Sequence, residues 1–107
     1  MSIHWFVLFV ACITEVMWAL SLKLIQLKTT PWLIAAAMVL TVLNMLLLSF
    51  AMRGIPAAAA YAVWTGLGAV GVTLAGTMLL GESLSLPQLA FLACIVVGVV
   101  GLKMHTV

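Results

Sequence analysis

Four long apolar runs fill the chain, separated only by brief polar punctuation. The first extends from about Trp5 to Leu22 and closes on Lys23. The polar stretch Gln26-Leu27-Lys28-Thr29-Thr30 leads to Pro31, whose fixed φ and missing N–H suit the first turn of a second helix. That helix reaches about Met52 and stops at Arg53-Gly54. Pro56 opens a third run, which ends near Leu80 where Gly81-Glu82-Ser83 breaks the pattern; Pro87 opens a fourth, which reaches Lys103. Each run has roughly the ~20 residues that a helix needs to cross a hydrocarbon layer of ~30 Å. The connections are too short for a further domain. The pattern predicts an all-α membrane protein, with residues 1–107 forming a single domain of four transmembrane helices.

Composition agrees. Of the 107 residues, 67% are hydrophobic and 6% charged, more apolar surface than a soluble domain of this size can hide. A nucleic-acid surface needs clustered Lys and Arg, and only four such residues exist. The first run is too long for a signal-peptide core and lacks both a basic leader and a small-x-small cleavage site before Lys23, so it is expected to remain as a span. Trp5 and Trp32 fall at predicted helix ends, where indoles favour the headgroup region and the lipid is their partner. Cys12 and Cys94 lie inside apolar runs and are expected to act as small buried hydrophobes, with no disulfide or metal motif.

One residue interrupts this apolar picture. Glu15 lies ~16 Å of helical rise from His4 and ~12 Å from Lys23, near the middle of the membrane. A carboxylate at that depth costs at least ~2.5 kcal/mol on insertion scales. It is either a structural acid held by an interhelical hydrogen bond or a proton- and cation-binding group in a transport pathway. Trp18 follows one turn later on the same face and could offer its N–H or ring to the carboxylate or to a bound cation. On the third helix, Tyr61 and Trp64 are three residues apart, ~8 and ~12 Å inside Pro56, and Gly68 and Gly71 continue their face. Gly66, Gly68 and Gly71 lower the cost of a helix bend, and would equally let backbones approach closely. Asn44 is a polar residue at mid-depth on the second helix, fit to meet the carboxylate or to bond across helices. Ala90, Cys94, Gly98 and Gly101 form a small-residue ridge on the fourth, assigned to a dimer contact.

Charge placement bears on assembly. Lys23 and Lys28 fall on one side of the membrane, Arg53 and Lys103 on the other. With two against two, the excess of Lys and Arg that fixes orientation is missing, so the chain is expected to insert both ways and to pair as an antiparallel (dual-topology) homodimer. Two copies could enclose a chamber lined by both Glu15 residues, which one small protomer cannot.

The strings Glu15-Val16-Met17-Trp18-Ala19-Leu20-Ser21-Leu22-Lys23 and Ala60-Tyr61-Ala62-Val63-Trp64-Thr65-Gly66 resemble the small multidrug resistance family. Trp18 three residues after the acid, with the ending Gly101-Leu102-Lys103, is similar to its guanidinium-exporter branch. The resemblance implies four-helix, antiparallel dimers of the bacterial inner membrane that exchange protons for organic cations. It makes Glu15 the shared proton and substrate site, has Trp18, Tyr61 and Trp64 line it, and implies no cofactor beyond the coupling proton. Three departures stand out. Asn44 replaces the usual Ser, Cys12 replaces the branch's usual Gly and becomes a site-lining candidate, and Pro56-Ala57-Ala58-Ala59-Ala60-Tyr61 replaces Pro-x-Gly-Thr-Ala-Tyr.

The expected activity is proton-coupled export of guanidinium or small guanidinyl cations. Its rivals are an exporter of quaternary ammonium and lipophilic cations, which Trp18 would crowd, and a non-transporting assembly subunit in which Glu15 pairs with a partner's basic residue. One half of a heterodimer is a further alternative. No metal cluster, nucleophile–base pair or phosphate loop points to an enzyme.

Overall fold

The computed structural model describes residues 2–106. Four helices carry the chain: α1 (Ile3–Leu27), α2 (Pro31–Ala51), α3 (Ala57–Leu79) and α4 (Leu86–Met104). All four are long and apolar enough to span a membrane. Their ends follow local chemistry. The Ser2 hydroxyl accepts from the Trp5 N–H at 3.4 Å, and Thr30 caps α2 through the Leu33 N–H at 3.3 Å with Pro31 just inside. Ser85 and Gln88 form a reciprocal capping box at the start of α4. After α3 the chain turns at Gly81, whose φ of 70° a side chain would resist.

Sequence and structure part at the end of α1. The apolar run closes on Lys23, yet the helix continues for another turn, to Leu27. Leu24, Ile25, Gln26 and Leu27 are all compatible with a helix, and a single lysine is no helix breaker. What stops it is the approach to Pro31, because a residue before proline is driven out of the helical region. Thr30, at φ −134° and ψ 150°, shows that extended geometry.

The helices lie side by side in the order α2–α1–α3–α4, in a layer with extents of 43 × 35 × 18 Å. With helices ~10–12 Å in diameter, the layer is less than two helices thick and encloses no lumen. Its core lies between α1 and α3: Trp5 and Leu8 pack with Ala60 and Val63, closed by Ala51 at the end of α2, by Ile55 of the turn that follows and by Val99 of α4. α2 and α4 are flankers. Between them they leave Met38, Val39, Met45, Leu46, Phe91 and Val97 exposed, as a lipid-facing or partner-facing surface should be. Cys94, expected to be buried, is exposed, because α4 meets α3 only along its Ile95–Val99 side.

The ends of the bundle sort the basic residues as expected. His4 stacks on Phe50 at 5.3 Å, Arg53 lies 5.8 Å from the same ring, and Lys103 lies 5.1 Å from the ring of Trp5. These contacts put Arg53 and Lys103 at one end, opposite Lys23 and Lys28. Two basic residues stand at each.

Candidate functional site

Glu15 is half-buried in the middle of α1, where the helix crosses α3. The crossing is close because α3 presents Gly68: a Cβ placed there would lie 2.9 Å from Glu15 Cγ. Gly71, one turn on, makes the same room for Val16. Gly66 faces the other way, where a Cβ would come within 3.2 Å of Ile95 and 3.3 Å of Val99 on α4. α3 is helical without a break from Ala57 to Leu79, so in this conformation all three glycines serve close approach.

Beside Glu15 an open cleft of about 410 Å3 is lined by Thr65, Gly68, Ala69, Val72 and Thr73 of α3. Among the described residues the acid is its only ionisable lining group. The Thr65 and Thr73 hydroxyls donate back to the carbonyls of Tyr61 and Ala69, each at 2.8 Å, so they offer the cleft lone pairs more than protons. The four Lys and Arg residues lie toward the ends of the bundle, leaving the carboxylate without a basic partner at its own depth. The arrangement suits a small cation with several N–H donors: one charged acceptor, two hydroxyl acceptors and smooth apolar walls.

The other candidates do not line this cleft. Trp18 is half-buried a turn along α1, and its carbonyl accepts from Ser21 Oγ at 2.6 Å. Cys12 is buried with its thiol directed at the Val63 carbonyl, 3.9 Å away, a packing contact between α1 and α3. Tyr61 and Trp64 are joined, with ring centroids 5.6 Å apart. Tyr61 is 54% exposed and faces out of the protomer, whereas Trp64 packs against the core. Trp64 Nε1 is buried with no hydrogen-bond partner among the described residues. An orphaned indole N–H costs ~1–3 kcal/mol unless something accepts from it.

Asn44 is buried on α2, and its carboxamide is bonded to the Thr14 hydroxyl of α1. Thr14 also donates to the Ala11 carbonyl at 2.9 Å. A hydroxyl has one proton, so Thr14 donates it either to the Asn44 amide oxygen or to the Ala11 carbonyl, and the Asn44 NH2 is left for another acceptor. Of the two roles open to Asn44, the bond across helices is the one this conformation contains. Thr14 is the residue that sequence reasoning passed over. Its signal was its position: next to Glu15 on a helix, it points ~100° around toward a different neighbour.

On α4, Ala90, Cys94 and Gly98 are exposed, and a Cβ at Gly98 or Gly101 would meet nothing within 4 Å. The small-residue ridge is thus open on the surface of the protomer.

Fold and site together define a multi-pass integral membrane protein with a carboxylate midway along its first helix, beside an open cleft. The family model for Small Multidrug Resistance protein matches residues 3–95, and the chain belongs to that family. Its relatives include proteins named Guanidinium exporter. The one from Proteus vulgaris is 43% identical over 102 residues, covering 94% of this chain and 96% of its own. Those from Citrobacter freundii and Escherichia coli (strain K12) are 45% and 44% identical over 104 residues, covering 95% of this chain and 97% of theirs.

Proposed function

We propose that the protein exports guanidinium or small guanidinyl cations across the bacterial inner membrane in exchange for protons, with Glu15 as the shared site. The observation that carries this is Glu15 itself: an acid at mid-membrane, without a basic partner at its depth, opening on a cleft whose other polar groups are acceptors. The names and near-complete coverage of the relatives support the choice of cation. Guanidinium is planar and weakly hydrated, and its donor fork fits a carboxylate in two places. Proton and cation need the same oxygens, so only one can occupy them. That exclusion couples inward protons to outward substrate.

A layer less than two helices thick cannot present a closed site to either side. Two antiparallel copies can, joined along Ala90, Cys94, Gly98 and Gly101, with the two-against-two charge balance allowing both orientations. Bending of α3 at Gly66, Gly68 and Gly71 would let the mouth of the site change sides. The chemistry of the orphaned Trp64 N–H fits the same scheme. Guanidinium has no acceptor, so in this scheme the Trp64 N–H would serve the carboxylate and not the substrate, once the site closes around Glu15. Trp18 and Tyr61 would complete the walls, and Asn44 would orient the acid through α1.

The test is uptake and current in vesicles containing purified protein. Guanidinium should evoke proton-coupled current, tetraalkylammonium ions should not, and Glu15→Gln should abolish the response. Apparent affinity should fall as pH is lowered, at most about tenfold per unit for each proton displaced. Coupled transport by Glu15→Gln, or affinity indifferent to pH, would exclude this mechanism.

A further inference from the structure

α1 and α4 both pack on α3, and among the described residues their backbones do not come close to each other, although Lys103 reaches Trp5. Between them runs a furrow of about 280 Å3, based on Leu67 of α3 and walled by Trp5 and Phe9 of α1 and by Val96 and Val100 of α4. By volume it holds on the order of nine water-sized groups, enough for a stretch of one hydrocarbon chain. Lys103 stands at its mouth with Nζ 5.1 Å from the centroid of the Trp5 ring. That contact leaves the ammonium, with its three donors, facing an aromatic surface and, among the described residues, no carboxylate. His4, Arg53 and His105 share this end of the bundle, while the two acids of the chain lie elsewhere: Glu15 at mid-depth and Glu82 in the α3–α4 turn at the opposite end.

We propose that this furrow binds an anionic phospholipid, its phosphate on Lys103 Nζ and one acyl chain along Trp5, Leu67 and Val96. The occupant must be amphiphilic, because a charged mouth is continuous with an apolar trough. It must be anionic, because Lys103 would repel the organic cations that suit Glu15. Free phosphate would gain nothing from the hydrocarbon walls. A second copy of the chain would be expected on the small-residue ridge, but Val96, Val100 and Lys103 lie on the opposite side of α4 from Ala90, Cys94 and Gly98. Basic residues beside grooves between transmembrane helices are suited to acidic headgroups. The furrow is separate from the Glu15 cleft, and its occupancy does not depend on what that cleft carries.

The experiment uses full-length protein in mixed bilayers, with the motionally restricted fraction of chain-spin-labelled lipid measured by electron paramagnetic resonance. Phosphatidylglycerol should be favoured over phosphatidylcholine by roughly fivefold. Lys103→Gln should bring that preference close to unity, Lys103→Arg should keep it, and Lys28→Gln, at the other end, should leave it unchanged. Val100→Trp, which fills the trough and retains the charge, should lower the restricted fraction of phosphatidylglycerol. Circular dichroism of each variant checks that the helices persist. An undiminished preference in Lys103→Gln, or an equal loss in Lys28→Gln, would overturn the site and leave only general attraction to a basic protein. An unchanged restricted fraction in Val100→Trp would equally overturn it, leaving a headgroup contact without the trough.

Discussion

Gly68 lies against the side chain of Glu15, so closely that a methyl group in its place would fall 2.9 Å from Cγ. The acid is therefore placed by the absence of a side chain on the facing helix. Gly68→Ala should rotate Glu15 away from α3 without unfolding the protein, since the obstructed atom belongs to a side chain that can turn. Displacing a binding carboxylate by a fraction of an ångström to an ångström is costly, and guanidinium affinity should fall about tenfold or more. Calorimetric titration of the variant checks this. Unaltered affinity would mean that the Gly68 contact does not position the acid.

Much of this architecture is legible in the sequence, and the part that is not has a common cause. Apolar runs bounded by Pro31, Pro56, Gly81 and Pro87 report helix number and rough limits because each boundary is a local backbone effect. Glu15 is legible because its cost at depth does not depend on its neighbours. The extension of α1 past Lys23 is not legible, because a charge marks where a membrane face lies and not where a helix stops. The Glu15–Gly68 crossing and the Thr14–Asn44 bond depend on how helices are placed against one another, which periodicity within a helix does not encode. The exposure of Cys94 has the same origin.

The bond between Thr14 and Asn44 ties α1 to α2 in the apolar interior. Removing one partner strands the other. Asn44→Ala or Thr14→Val alone should each lower stability by about 1–3 kcal/mol. The double variant Thr14→Val with Asn44→Leu, in which neither polar group remains, should cost less than the sum of the single changes. Thermal unfolding in detergent measures the three. Strict additivity would show that the two residues contribute separately.

Gly98 is exposed on α4, with nothing within 4 Å of where its Cβ would be. Gly98→Leu should therefore leave the helices of the protomer intact. If the ridge is the dimer contact, the same change prevents the close approach of two small-residue faces and should weaken self-association by at least about tenfold. Single-molecule counting in dilute vesicles reads the shift, with circular dichroism confirming helix content. A dimer of unchanged strength would place the contact on another face.

The charge balance of the two ends makes the last prediction the sharpest. Lys23 and Lys28 stand against Arg53 and Lys103, so a small addition at one end should decide the orientation. Thr29 and Ser83 are exposed and belong to the end that carries Lys28. Thr29→Lys with Ser83→Lys should fix that end in the cytoplasm. Ala57→Lys with Thr106→Lys adds charge at the other end and should fix the reverse. Accessibility labelling of an introduced cysteine reports the sidedness of each. If the working unit is antiparallel, either biased variant alone should lose guanidinium export, and coexpression of the two should restore it, because each supplies the orientation that the other lacks. Full export by one biased variant alone would show that a parallel pair or a monomer suffices, and the reason for a two-against-two charge count would then have to be sought outside transport.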